Sequence, residues 1–352
     1  MRRTHLESFL SSPVGPAFLE GFSILKPYDI NNDILPEMLI DRLFSPEFFS
    51  RALGSPLKTH ADRAQRKLET SVVQHMYHLW RDKNYFDISP RLCDKLIDTD
   101  LKDMDTFFLK TPFRSMYLSL PPGNGLHIHN EHTGEHELLG IYILLQDYGK
   151  PETVAIRTED NKVDGVTKYL HILAAGEDKA KYDDALVFFH LMFWEGKISD
   201  SIERSKQFLS PDPELWPSVL EVFNFVTKVL LYLNCANVSI QKIAGFDIGG
   251  KLAGLKSSAK KRKFLQRYEK QSTEAHRLLD TMIDRSQYSG NQLSSKAPGG
   301  FLGPKPLERV RGHFKVQHFG IGCLEQKVIW IEPYIRGSDA EYFRDEKHYR
   351  LI

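Results

Sequence analysis

Cysteine is scarce: Cys93, Cys235 and Cys323 are the only ones in 352 residues. Their odd number and wide separation exclude a disulfide framework and the paired Cys-x-x-Cys spacing of a structural zinc site. A reducing compartment is the simplest reading, and the chain is expected in the cytoplasm. An excess of one charge is also missing. Lys and Arg number 47 against 46 Asp and Glu, so no global field pulls the molecule onto nucleic acid or an acidic membrane. Long apolar runs are absent as well. Ala185 to Trp194 is too short to cross a bilayer, and Val219 to Leu233 carries Glu221 and Lys228. Behind Arg2 and Arg3, the polar residues Glu7, Ser11 and Ser12 interrupt any signal-peptide pattern. No membrane partner and no cofactor are expected.

What is present suffices for a core, because 41% hydrophobic and 11% aromatic residues exclude a disordered chain. Pro36-Glu37 and Pro46-Glu47 suit the first turns of short helices. Leu68, Val72, Val73, Met76, Leu79 and Trp80 recur at helical intervals, which predicts an amphipathic helix over 62–81, followed by another over 90–97. After Asp105 short β-branched runs replace this pattern: Phe113 to Leu120, Leu138 to Leu145, Thr153 to Thr158, Thr167 to Leu173 and Leu186 to Phe193. They predict a mixed, mostly antiparallel sheet of about five strands, although periodicity alone leaves the last run open to helix. A buried helix is expected from Ser210 to Cys235 and a polar one from Ser258 to Ser286, then an exposed Ser/Gly/Pro connection from Ser294 to Pro306. Arg309 to Phe319 and Gln326 to Tyr334 read as a hairpin around Gly320-Ile321-Gly322. The expected class is α+β, with N-terminal helices (1–104), a central sheet region (105–200) and long helices with a C-terminal β-hairpin (201–352). One compact domain can accommodate all three stretches.

Four candidate sites stand out. His127, His129, His132 and His136 lie close together, with Glu131 and Glu135 between them; His127 and His129 would share one strand face and offer two metal ligands. The neighbouring Pro121-Pro122-Gly123 and Thr133-Gly134 instead favour a solvated polar loop. Gly245 to Lys251 mimics a phosphate-binding loop, but Leu252 stands where a magnesium-binding hydroxyl is needed, so a glycine-rich turn is the better reading. Lys256, Lys260, Lys263, Arg267 and Lys270 would form one basic stripe on a helix, suited either to nucleic-acid phosphates or to solvent. In the last hairpin, alternation puts Arg309, Arg311, His313 and Lys315 on one face, and the apolar side can be buried while Arg, His and Trp330 point outward.

The segment Arg311-Gly312-His313-Phe314, with Phe319, Gly320, Gly322, Trp330 and Pro333, resembles the C-terminal signature of a family of mobile-element proteins typified by a type V anti-CRISPR. Leu79-Trp80-Arg81, Asp87, Asp94 and the block from Phe108 to Leu120 are similar in order and spacing, so the resemblance runs from about residue 75 onward. Phe314 and His318-Phe319 depart from the family's Trp and Tyr-Trp. The resemblance implies a regulator that binds the N-terminal nascent peptide of a Cas12-type effector and lowers its mRNA in a translation-dependent way, with ribosome and mRNA as further partners. It implies a binding surface of Arg309, Arg311, His313, Phe314, Lys315, Phe319 and Trp330. Two alternatives from other classes remain: a ribonuclease or metal-dependent hydrolase using His313 or the His127 to His136 loop, and a nucleic-acid-binding accessory factor of a plasmid or phage.

Overall fold

The computed structural model describes residues 5–6, 19, 22, 74–81, 84–101, 104–130, 134–155, 162–176, 186–207, 216–244, 257, 274–279 and 308–336. In chain order the elements are β1 (Tyr85–Ile88), α1 (Pro90–Ile97), β2 (Thr99–Asp100), β3 (Ser115–Ser119), β4 (His127–Asn130), β5 (Gly134–Ala155), β6 (Lys162–Gly176), β7 (Leu186–Phe193) and α2 (Ile198–Ser205). They continue with α3 (Trp216–Leu233), β8 (Ser239–Ala244), β9 (Glu274–Leu279), β10 (Glu308–Val310), β11 (Gly312–Phe319), β12 (Glu325–Ile331) and β13 (Tyr334–Arg336). Residues 74–81 are also helical. Among the described residues, eight strands share one sheet in the order β7-β6-β5-β3-β1-β9-β8, with β4 paired to β5. The β3–β1 and β1–β9 pairs are parallel and the others antiparallel. The class is α+β, as expected.

Strand alternation gives this sheet two chemically different faces. Met116, Leu118, Ile141, Ile143, Leu170, Ile172, Leu191 and Phe193 form the aliphatic face and pack against Leu92 and Leu96 of α1 and Val222, Phe223, Val226 and Leu230 of α3. The α1 helix starts where its local chemistry demands: Pro90 follows Ser89, whose Oγ accepts from Leu92 N at 3.3 Å. α3 buries nearly its whole circumference, as its all-round apolar sequence requires. The opposite face is aromatic. Tyr117 and Tyr142 meet edge-on at 4.7 Å, Tyr169 stacks on His190 at 5.1 Å, and His171 lies 5.1 Å from His190. His5 Nδ1 and the Tyr142 hydroxyl share a 2.8 Å hydrogen bond, and His75 of the 74–81 helix approaches His171 to 6.3 Å. The edge strand β7 is sealed in part by α2. Ser205 Oγ accepts from Met192 N at 3.1 Å and donates to Met192 O at 3.0 Å, and Ser201 Oγ accepts from Trp194 N at 3.1 Å.

Several sequence expectations change. Leu138 to Leu145 and Thr153 to Ala155 belong to one long strand, β5, with register shifts between Asp147 and Val154. Leu186 to Phe193 is strand rather than helix. Glu274–Leu279 is β9 instead of the middle of a polar helix, because β1 and β8 bond its backbone on both sides and this pairing overrides the local helical period. The strand β8 was not foreseen. The helix expected over 62–81 is seen in 74–81, and that over 210–235 in Trp216–Leu233. The Gly245 to Lys251 turn and the Ser294 to Pro306 connection lie outside the described residues.

Gly140 is required by the aromatic face. A Cβ there would lie 2.1 Å from the Tyr117 hydroxyl oxygen and 2.8 Å from the Leu118 carbonyl. Gly140→Ala should therefore destabilise the fold by roughly 1–3 kcal/mol, read from denaturant melts. An unchanged midpoint would show that Tyr117 can leave its place at no cost.

The histidine layer yields a pH dependence. Burial, then the neighbouring His190, His75 and His78, hold His171 well below its ordinary value of 6.5. A folded-state value below the unfolded one means that this stability is complete above about pH 6.5 and is lost as pH falls below it. His171→Leu should therefore lose less melting temperature than wild type between about pH 7.5 and pH 5.5. An equal acid slope in the two proteins would remove His171 as the cause.

Candidate functional site: the C-terminal hairpin and its anchor

The hairpin expected at the C-terminus is present, in antiparallel register from His313 opposite Ile331 to Phe319 opposite Glu325. After interruptions at Arg311 and at Glu332-Pro333, β10 and β13 continue the pairing. β11 also pairs in parallel with β2, Gly312 opposite Thr99 and His313 opposite Asp100, which fastens the hairpin to the end of α1.

The Arg-Gly-His motif owes much of its chemistry to this junction. Arg309 Nη2 lies 2.8 Å from Asp98 Oδ2 and Arg311 Nε 3.6 Å from Asp98 Oδ1, both at the C-cap of α1. Gly312 has no room for a side chain: a Cβ would sit 2.5 Å from Thr99 Oγ1 and 2.9 Å from Pro333 Cδ. His313 Nδ1 lies 3.4 Å from the Arg311 carbonyl oxygen, and the ring is half-buried. Lys95 and Glu332 form an ion pair across the same junction. Lys228 of α3 donates to the Ile97 carbonyl at 3.0 Å, satisfying one acceptor at the helix end. Burial, then the nearby Arg311, lowers its ammonium to about 8 against the opposing pull of Asp100 and Asp98.

The orientation of the aromatics is corrected. Trp330 is 1% exposed and lies opposite Phe314, so both point into the core with Val328. The Trp330 Nε1 donates to Thr99 Oγ1 at 3.1 Å, and Thr99 Oγ1 donates in turn to the Lys95 carbonyl at 2.7 Å. Tyr232 of α3 meets the indole edge-on at 5.3 Å. Asn237 closes the outer edge of β12, accepting from Trp330 N at 3.1 Å and donating to Trp330 O at 2.9 Å. The physical reason is parity: the turn length puts Trp330 in register with Phe314, so the residues facing outward beside His313 and Lys315 are Ile331 and Ile329. Those two isoleucines were not singled out from the sequence. Counting register from a five-residue turn would have found them.

The other candidates fare differently. The histidine-rich run is a β-hairpin, not a loop, because β4 and β5 pair from His127 opposite Glu137 to Asn130 opposite Gly134. Paired residues share a face, so His127 and His129 lie with Glu135 and Glu137, while His136 lies with Ile128 on the other side. His127 Nδ1 is 3.9 Å from Glu135 Oε1. His132 lies outside the described residues, and among those described no three His, Cys, Asp or Glu side chains are grouped to hold a metal. Lys256, Lys260, Lys263, Arg267 and Lys270 also lie outside the described residues. Cys93 and Cys235 are buried, and burial pushes each thiol up to about 12. Among the described residues no helix is long and apolar enough to cross a membrane.

This geometry separates anchor from surface. Trp330→Ala should cost roughly 3–5 kcal/mol in a denaturant melt, whereas exposed Lys315→Ala should stay within about 0.5 kcal/mol. A Trp330→Ala protein that melts like wild type would place the indole outside the core.

No curated protein matches the sequence. Among solved structures the chain is similar to one described as the crystal structure of AcrVA2, with a TM-score of 0.50 and 9% sequence identity, covering 93% of this chain and 96% of that one. At that identity the likeness concerns the fold alone. The sequence match is independent of it: residues 86–337, more than half of the chain and including α1 and the whole C-terminal hairpin, fit the model of the AcrVA2-like family. The chain therefore belongs to the anti-CRISPR type V subtype A2 family.

Proposed function

We propose that this protein is an anti-CRISPR regulator carried by a mobile element. It recognises the N-terminal nascent peptide of a target, a Cas12-type effector or its counterpart, and lowers the encoding mRNA while that mRNA is being translated. Family membership supports the anti-CRISPR role. The observation that carries the peptide reading is the outer face of the β11–β12 hairpin, where half-exposed apolar side chains lie beside cations on a strand pair bolted to the body. Arg309, Arg311, His313, Lys315 and Phe319 contact the peptide, and Phe314 and Trp330 shape the strands from beneath. Lys256, Lys260, Lys263, Arg267 and Lys270 add salt-dependent attraction to ribosomal RNA or mRNA.

A reporter carrying the candidate target's N-terminal codons tests this in cells that express the protein. Reporter mRNA should fall when those codons are translated in frame. A compensated frameshift that keeps almost the same RNA but changes the peptide should abolish the fall. Equal loss from both reporters would overturn peptide recognition. Degradation of naked RNA by purified protein, lost in His313→Ala, would favour the ribonuclease instead.

A further inference from the structure

The outer face of the hairpin has a composition that its anchor does not use. It carries His313, Lys315 and Phe319 from β11 and Lys327, Ile329 and Ile331 from β12, with Lys315 opposite Ile329 and His313 opposite Ile331. Ile329 and Ile331 are half-buried and Lys315 is exposed. The Lys327 ammonium lies 5.1 Å from the centre of the Phe319 ring, which orients it along the face. Among the described residues β2 pairs with β11 only at Gly312 and His313, and the hairpin ends in a tip where Ile321 is 97% and Leu324 87% exposed. Large aliphatic side chains held in water gain nothing for the fold, and an apolar patch flanked by polar groups marks an interaction surface.

The charges on and around this face are unevenly committed. Arg309 and Arg311 are tied to Asp98, and Glu332 to Lys95. Asp100 stands opposite His313 at one end, and Glu325 stands opposite Phe319 at the other. Between them Lys315 and Lys327 make no ion pair among the described residues. Aliphatic side chains offer nothing to a phosphate backbone, so this mixture of two lysines and half-buried isoleucines suits a polypeptide rather than RNA.

We infer that this outer face takes an extended acidic segment of the target polypeptide that turns both carboxylates and apolar side chains toward it, at every second residue. The carboxylates lie over Lys315 and Lys327, and the apolar groups lie over Ile329, Ile331 and Phe319. The inference rests on the peptide-recognition reading above and supplies the chemistry of the peptide that the reading leaves open. Charge complementarity selects the carboxylates, and the period of two along a strand means that only every second residue of the segment meets this face.

Fluorescence anisotropy of the full chain with three labelled short peptides tests it: one placing Glu and Leu in turn at every second position with Ser between them, one with Gln in place of Glu, and one with Lys in place of Glu. At low salt the Glu peptide should bind roughly three- to tenfold tighter than the Gln peptide, the gain expected of two exposed ion pairs. Lys315→Glu combined with Lys327→Glu should reverse the preference toward the Lys peptide, and Ile329→Asn with Ile331→Asn should weaken all three. Circular dichroism of each variant guards against misfolding. Equal affinity for the Glu and Gln peptides, no binding of any peptide by wild type, or an unchanged preference in the double lysine variant would overturn the inference. Stalled ribosome–nascent-chain complexes bound by wild type and the lysine variant alike would remove the charge rule but leave nascent-peptide recognition standing. Failure of wild type to bind such complexes would remove both.

Discussion

The attachment of the C-terminal hairpin to the body centres on a buried contact, the Trp330 indole against the Thr99 hydroxyl. Thr99 accepts from the indole and donates to the last turn of α1. Helix end, β2 and hairpin are therefore joined through one hydroxyl. Gly312 is the geometric condition for this, since any side chain at that position would strike Thr99 and Pro333. The two arginine ties to Asp98 are exposed and contribute little each; the buried aromatic carries most of the joint's energy. The most recognisable residues of the motif are thus largely those that hold the hairpin in place, and the exposed Lys315 and half-buried Ile329 and Ile331 stand beside them.

The same economy governs the main sheet. Its aliphatic face is an ordinary core against α1 and α3, but its other face is built from tyrosines and histidines that exchange hydrogen bonds and ring contacts with His5 and the 74–81 helix. Such a layer packs densely only where each ring has its space, which is why a glycine faces the Tyr117 hydroxyl. Exposed strand edges are closed with side chains in place of further strands: Ser201 and Ser205 on β7, and Asn237 on β12. These devices limit unwanted pairing in a protein whose sheets are long.

Much of this was legible in the sequence. The α+β class, α1 over 90–97, the buried α3 and the C-terminal hairpin all follow from period and turn chemistry, because these act over a few neighbouring residues. The failures share one cause. Glu274–Leu279 was assigned to a helix because its local period permits one, and only pairing with β1 and β8 makes it a strand. The histidine run was assigned to a loop because its Gly and Thr suggest one, and β4 pairing with β5 divides its histidines between two faces.

By itself, the sequence determined the helical character of α1 and α3, the strand character of the C-terminal hairpin, the absence of a disulfide scaffold, and the motif by which the chain resembles its family. Tertiary structure alone decided which residues of that motif are buried and which are presented. Register is a property of two strands together: one residue of slip would exchange Trp330 for Ile329 and Ile331 on the surface, with no change in either strand's composition.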